Sequence, residues 1–374
     1  MSKGRFEKQK QTSKGSKALL IILAVILVLV IAIGVAAVVY YNSILNKMNH
    51  VEVPKIEYTQ PVTEGPTEEV IETTEAVTEP TETVHIPSSE DYINILLVGQ
   101  ASREGAAERA ADTMILVTLN TYEKSVTLTS FLRDSLVKPP DFRGHSFGKI
   151  KLTTVYHLGS FYVNGTDSEK IAGSMEHINQ TLYSNFGIEV DHNFEVDFDC
   201  FVKILDLIDG VEIELTQEEA DYLNKDDIWV YYDMEPGLQR LDGMVGLSYA
   251  RMRKASGDGD SDIKRTARQR KLITAVIEKL KTRSVSELQT LANEVLPYIT
   301  TSMTNAEITD LLLQVVPMLT DLKINPSGTC PVQGTYSGKM VDIYDDGFEH
   351  SVLTFTAAEQ WRLMRAITEG EISD

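Results

Sequence analysis

Tyr92-Ile93-Asn94-Ile95-Leu96-Leu97-Val98-Gly99 is a near-continuous apolar run that stops at a glycine. A strand covered on both faces has this composition, because neither side needs to meet water. Two more such runs follow, Thr113-Met-Ile-Leu-Val-Thr-Leu119 and Ser125-Val-Thr-Leu-Thr-Ser-Phe131, joined by the polar, hairpin-like turn Asn120–Lys124. Further on, the apolar spacing turns helical over residues 168–186 and 194–208, and Val211-Glu-Ile-Glu-Leu215 alternates as a strand. Residues 247–252 read as a short strand feeding a long helix over 261–280. Ser284-x-x-Glu287 and Thr304-x-x-Glu307 are capping boxes that open two further helices. Residues 335–354 are strand-like, and 357–367 make a closing amphipathic helix. Strands and helices interleave, so the expected fold class is α/β, a mixed central β-sheet flanked by helices, in one domain over residues 91–374.

Upstream of this domain the chain changes character twice. Residues 18–41 are apolar without a charge, long enough as a helix of roughly 36 Å to cross a hydrocarbon core of about 30 Å. The flank before them carries Lys3, Arg5, Lys8, Lys10, Lys14 and Lys17 against Glu7 alone. By the positive-inside rule residues 1–17 are a cytoplasmic tail, 18–41 a single transmembrane signal-anchor helix, and all that follows is extracytoplasmic. A cleaved signal peptide is the rival reading, but Val38-Val39-Tyr40-Tyr41 offers no small-x-small cleavage site. Residues 42–90, rich in Thr, Glu, Pro and Val, hold few large apolar groups and many like charges, and read as an extended stalk.

The charge balance isolates one segment. The chain carries net −20, yet Tyr249 to Lys271 sets eight Lys and Arg against three Asp, with Arg251, Arg253, Lys254, Lys264, Arg265, Arg268, Arg270 and Lys271 closely spaced. Planar guanidinium groups so clustered suit a phosphate-rich ligand, since each can hold two oxygens at once. A solvated helix face with i,i+4 pairs is the plain alternative, but residues 251, 253, 265, 268 and 269 do not share one helical face. Two other polar clusters end apolar runs: Gly99-Gln-Ala-Ser-Arg103-Glu104 with Arg109-Ala-Ala-Asp112, and Phe131-Leu-Arg133-Asp134. Asp112 beside arginines could hold a hard cation through oxygen, and Mg²⁺ commonly takes one or two carboxylates together with phosphate oxygens. The overall acidity and outward orientation exclude nucleic acid as a partner. No Gly-Lys-Ser/Thr phosphate loop and no Gly-x-Ser-x-Gly elbow occurs. The two cysteines, Cys200 and Cys330, exclude a disulfide scaffold, although a single bridge between them stays open.

In order along the chain, Ile95-Leu-Leu-Val-Gly99, Asp112-Thr-Met-Ile-Leu-Val117, Phe131-Leu-Arg133-Asp134, Lys151-Leu-Thr-Thr-Val-Tyr156, Asp209-Gly-Val-Glu-Ile213, Leu241-Asp-Gly243, Tyr249-Ala-Arg251-Met-Arg253 and Arg265-x-x-Arg268-Gln269 resemble the LytR-CpsA-Psr family. The resemblance implies a membrane-anchored phosphotransferase of Gram-positive cell walls. Such an enzyme moves a glycopolymer from a polyprenyl diphosphate carrier to peptidoglycan and leaves a phosphodiester link. It implies Mg²⁺ (or Mn²⁺) on Asp112, and catalytic roles for Asp112, Arg133 and Asp134, the last as a base or orienting group. It also implies a diphosphate cradle of Arg103, Lys151, Arg251, Arg253, Arg265, Arg268 and Gln269, with Arg133 beside them. The polyprenyl tail would enter an apolar groove built from runs such as Phe198–Ile208 and Leu272–Leu280. The sequence departs from the family pattern where a second metal-binding Asp is expected and Ala101 stands, where Ala110-Ala111 replaces an Arg-containing pair, and where Thr153 replaces an Asn. Glu104 and Glu108 are the nearest substitutes for the lost carboxylate. A second reading follows from these departures: a partly degenerate, regulatory member that binds polyprenyl phosphates with little turnover.

Overall fold

The structure, a computed structural model, describes residues 40–56, 58, 89–100, 111–225, 232–252, 262–345 and 347–370. Met1–Lys47 and Met48–Asp374 are separate compact units. In the first, residues 40–45 form helix α1. The expected span over 18–41 otherwise lies outside the described residues, among which no helix is long and apolar enough to cross a membrane.

The second unit is built on a mixed sheet. In chain order it comprises β1 (Asn49–His50), β2 (Tyr92–Gln100), β3 (Ala111–Asn120), β4 (Ser125–Phe131), β5 (Leu136–Val137), β6 (Ile150–Lys151), α2 (Leu152–Phe161), α3 (Asp167–Phe186) and β7 (His192–Val196). There follow α4 (Phe198–Leu207), β8 (Val211–Leu215), α5 (Gln217–Leu223), β9 (Gly237–Leu241), α6 (Gly243–Arg251), α7 (Asp262–Lys281) and α8 (Val285–Val295). The last part holds β10 (Ile299–Thr301), α9 (Asn305–Val315), β11 (Lys323–Ile324), β12 (Gly328–Cys330), β13 (Tyr336–Val341), β14 (His350–Phe355) and α10 (Ala357–Thr368). The strand order is β1-β10-β7-β2-β3-β4-β11, with β12 also on β4. The β2–β3–β4 meander is antiparallel, whereas β7 joins β2 in parallel.

The alternation of β2 and β3 explains why both read as fully apolar. Leu96, Val98, Met114 and Leu116 face a core completed by Val155, Met175, Ile178 and Leu182 of α2 and α3. Ile95, Ile115 and Leu128 face the other way, toward Met318 and Leu322 and, through partly buried contacts, Ile273 and Ile277 of α7. A third cluster joins α4, α6, α7 and the two-stranded β8–β9 ribbon through Leu205, Ile213, Leu241, Tyr249 and Leu272. Helices α2 and α3 cross at Gly159, where an added Cβ would stand 2.5 Å from the Gly173 carbonyl oxygen and 2.6 Å from Ser174 Cα.

The structure corrects three expectations. Residues 247–252 are not a strand: they end helix α6, which Asp242 caps by accepting from the Val245 amide. Helical spacing over 194–208 covers only its second part, because Phe194 lies on β7, whose residues pair with β2. Part of the expected stalk, from Met48 on, belongs to the domain. There β1 pairs in parallel with β10, Val51 is buried, and the Tyr58 hydroxyl donates to the Val190 carbonyl at 3.3 Å. Met48-Asn-His-Val-Glu-Val53 is too short a pattern to stand out ahead of a low-complexity segment. The bridge left open between the two cysteines is absent: both are free and fully buried.

Candidate functional site: a cavity with a charged mouth

A cavity of about 770 Å³ lies between the sheet and helices α4, α6 and α7. Its bore is apolar: Leu97, Ile115 and Phe194 of the sheet face Phe198, Phe201 and Ile204 of α4 and Leu272, Ile273, Val276 and Ile277 of α7. The two runs expected to form a groove therefore face one another. Polar lining comes from Asp112, Thr113, Asp197, Arg251, Arg265 and Gln269.

A charge network surrounds Asp112. Its Oδ1 accepts from Arg133 Nη1 at 3.1 Å, and its backbone carbonyl accepts from Arg265 Nη2 at 3.2 Å. Asp262, in the first turn of α7, lies 2.5 Å from Arg265 Nη2 and 3.4 Å from Arg133 Nε. Lys151 Nζ donates to Asp134 Oδ1 at 2.9 Å, and the other Asp134 oxygen is 3.9 Å from Arg133 Nε. The loops carrying these groups are tied together by main-chain bonds. The Thr153 amide donates to the Arg133 carbonyl and the Leu353 amide to the Asp134 carbonyl. The Thr153 hydroxyl donates to the Ala111 carbonyl at 3.0 Å, so the residue standing where an Asn was expected fastens α2 to the strand that bears Asp112.

The expected site residues divide into three groups. Asp112, Arg133, Asp134, Lys151 and Arg265 meet in the network, and Arg251 and Gln269 line the same cavity. The Arg251 guanidinium stands 4.9 Å over the Phe198 ring. Arg103 and Arg253 lie outside the described residues, as do Ala101, Glu104, Glu108, Arg109 and Ala110. Arg268, expected in the cradle, does not line the cavity. It is buried, with Nη2 donating to the Met252 carbonyl at 2.7 Å and Nη1 3.5 Å from Glu219 Oε1. Three residues beyond Arg265 on a helix, it points about 60° away from that residue's direction, toward α5 and α6 rather than β3.

Two partners escaped the sequence reading. Asp262 offered a signal, being i−3 to Arg265 at the start of a helix. Glu219 offered none toward Arg268, from which it is separated by most of the α5–α7 segment; its visible role is the Thr216 capping box. Gln269 contributes in an unexpected sense. Its Nε2 donates to the Ala250 carbonyl at 3.3 Å, so its amide N–H is engaged with the end of α6 while the residue lines the cavity.

The cavity thus joins an apolar bore to a lining in which Asp112 and Asp197 stand with Arg251 and Arg265, and comparison with known proteins finds relatives that share the fold. Polyisoprenyl-teichoic acid–peptidoglycan teichoic acid transferase TagT of Bacillus subtilis (strain 168) is 28% identical over 198 residues, covering 52% of this chain and 54% of that protein. The match thus spans about half the length of that relative. A solved structure of TagT bound to LIIa-WTA superposes with a TM-score of 0.55 at 21% identity, covering 77% of this chain and 93% of that one. Another, the LytR-CPS2A-psr family protein YwtF (TagT) with bound octaprenyl pyrophosphate lipid, superposes with a TM-score of 0.51 at 19% identity, over 77% and 94% of the two chains. The family pattern itself matches residues 63–342, so the chain belongs to the LytR_cpsA_psr family.

Proposed function

We propose that this chain is a membrane-anchored, extracytoplasmic phosphotransferase that moves a glycopolymer from a polyprenyl diphosphate carrier to peptidoglycan. The observation that carries the reading is the apolar cavity of about 770 Å³ whose mouth holds Asp112, Arg251, Arg265 and Gln269. Such a bore accepts a prenyl tail through area burial alone, while the mouth reads charge. The carrier seen in one relative's structure, octaprenyl pyrophosphate, has both parts. Residues 18–41 would hold the domain at the outer membrane face, where that carrier is met.

In the reaction an acceptor hydroxyl attacks the phosphorus that bears the glycan. A new oxygen–phosphorus bond forms, the diphosphate bridge breaks, and polyprenyl monophosphate leaves with the bridging oxygen. Arg251, Arg265 and Arg133 neutralise the negative charge that grows on the leaving phosphate. Asp134, oriented by Lys151 at 2.9 Å, takes the hydroxyl proton.

Asp112 suits Mg²⁺ as a partial ligand. Its side chain is about one-third exposed at the cavity wall, and among the described residues no group of three or more His, Cys, Asp or Glu could hold a metal. Its remaining ligands would come from diphosphate oxygens and water, the usual arrangement for this ion. Bound there, Mg²⁺ would supply charge neutralisation at the bridge.

A binding or regulatory role with little turnover is the second reading, favoured by Ala101 standing where a second carboxylate is expected. The test is release of polyprenyl monophosphate from a short-chain polyprenyl-diphosphate saccharide by the full chain, with and without Mg²⁺. Mg²⁺-dependent turnover supports the transferase. Binding without turnover, restored by Ala101→Asp, supports the regulatory reading. Absence of both would sink the two together.

A further inference from the structure

Helix α7 holds three backbone carbonyls of the site, and two of them flank Arg251. Gln269 Nε2 donates to the Ala250 carbonyl at 3.3 Å, and Arg268 Nη2 donates to the Met252 carbonyl at 2.7 Å. Met252 is the C-cap of α6, where the backbone leaves the helix with φ −55° and ψ 125°. A helix exit has carbonyls without intrahelical partners, so a side chain that binds one fixes the direction in which the chain departs. The remainder of the Arg268 guanidinium meets Glu219, whose Oε2 accepts from the Thr216 amide at 3.1 Å in the α5 capping box. Arg268 and Glu219 are both nine-tenths buried or more, with the Tyr249 ring of α6 buried beside the pair. A charge pair so deep is costly to assemble and strongly orienting once assembled.

We propose that Arg268 is a positioning residue: by holding the Met252 carbonyl against the α5 cap it sets the α6 exit, and through it the aim of Arg251 into the cavity. Its guanidinium touches no cavity space itself, and its effect on any anionic ligand passes through Arg251. A lysine cannot replace it, because one ammonium does not span a carbonyl and a carboxylate as a planar fork does.

Two readouts on the full chain in detergent test this. The first is amide hydrogen exchange without ligand. Arg268→Met accelerates exchange in the last turn of α6 (residues 249–252) by on the order of tenfold, while β2 and β3 stay protected. Because Arg268→Met alone strands the Glu219 charge, the paired variant Glu219→Gln/Arg268→Met is measured beside it; glutamine keeps the α5 box. Unchanged exchange over residues 249–252 in the paired variant overturns the proposal.

The second readout is affinity for farnesyl diphosphate against farnesol, in a double-mutant cycle with Arg251→Ala. This arm rests on the proposed diphosphate site. Arg268→Met weakens farnesyl diphosphate by on the order of tenfold, leaves farnesol unchanged, and adds nothing once Arg251 is alanine. Equal losses in both backgrounds would mean that Arg268 acts independently of Arg251, which overturns the proposal. If the unmodified chain binds farnesol but not farnesyl diphosphate, the diphosphate reading fails, and the exchange arm decides the role of Arg268 alone.

Discussion

Arg133 is bound to Asp112 at 3.1 Å and stands within 3.4 and 3.9 Å of the carboxylates of Asp262 and Asp134, so one guanidinium lies among three acids. Removing it leaves those acids to repel one another at the spot where a diphosphate would sit. Arg133→Ala is expected to lower turnover of a polyprenyl-diphosphate saccharide by on the order of 10²–10³. Arg133→Lys should recover only part of this, because an ammonium cannot reach all three acids. Steady-state release of polyprenyl monophosphate measures both.

Asp112→Asn keeps the shape of the pair with Arg133 and removes the charge. If Asp112 carries the metal, this variant loses the stimulation by added Mg²⁺ while still binding farnesol in the apolar bore. Titration calorimetry with each ligand, with and without a chelator, separates the two effects. Stimulation that persists in the variant would place the metal elsewhere.

His177 is fully buried, stacked 4.5 Å from the Phe142 ring, and burial lowers its pKa to about 4. The unfolded chain binds its proton near pH 6.5, so the folded state resists protonation. Stability from this group is complete above about pH 6.5 and is lost as pH falls toward 4. The shift is equivalent to about 3 kcal/mol across that window. Denaturant midpoints measured from pH 7 to 4 should fall, and His177→Phe should flatten that part of the profile.

At the α2–α3 crossing the neighbour of Gly159 is backbone rather than a movable side chain. Gly159→Ala should therefore cost about 2–3 kcal/mol despite its better helix propensity, because two helices must separate. A thermal melt checks the sign. An unchanged or higher midpoint would show that the crossing can yield.

Cys200 and Cys330 have no exposed surface, and burial pushes the Cys200 thiol up to about 12 and the Cys330 thiol well above its usual value. Neither should react with a maleimide in the native chain. Both should label fully in guanidinium under non-reducing conditions.

The order of strands and helices was legible where a run was long and its neighbours were polar. The β2–β4 meander and the α8 and α9 capping boxes appear as expected, since those signals are local. The end of α6 was misread because Leu247–Met252 alternates like a strand, although Asp242-Gly243 just before it is a helix-start signal. The short strands β1, at the sheet edge, and β10, beside it, gave no pattern, being fixed by the pairing of residues 49–50 with 300–301 rather than by their own composition. Within the site, a cluster of arginines showed that anions matter but not which arginine meets them. Arg265 and Arg268 share a helix and a sequence context, yet one lines the cavity and the other is spent on Glu219 and Met252. That difference is set by what α5 and α6 bring alongside.

Helix α7 carries the mouth residues Arg265 and Gln269 and the bore residues Leu272, Ile273, Val276 and Ile277 on one continuous rod. From Arg265 to Ile277 the rise is about 18 Å, with no joint between. An inserted or deleted residue in this interval would turn every later side chain by about 100° about the helix axis. Substitutions can therefore retune the two ends separately, one residue at a time, but their spacing is locked. Length variation among relatives should be found in the loops around α7 and not between residues 265 and 277, and a single-alanine insertion after Gln269 should uncouple the two ends while each keeps its own residues.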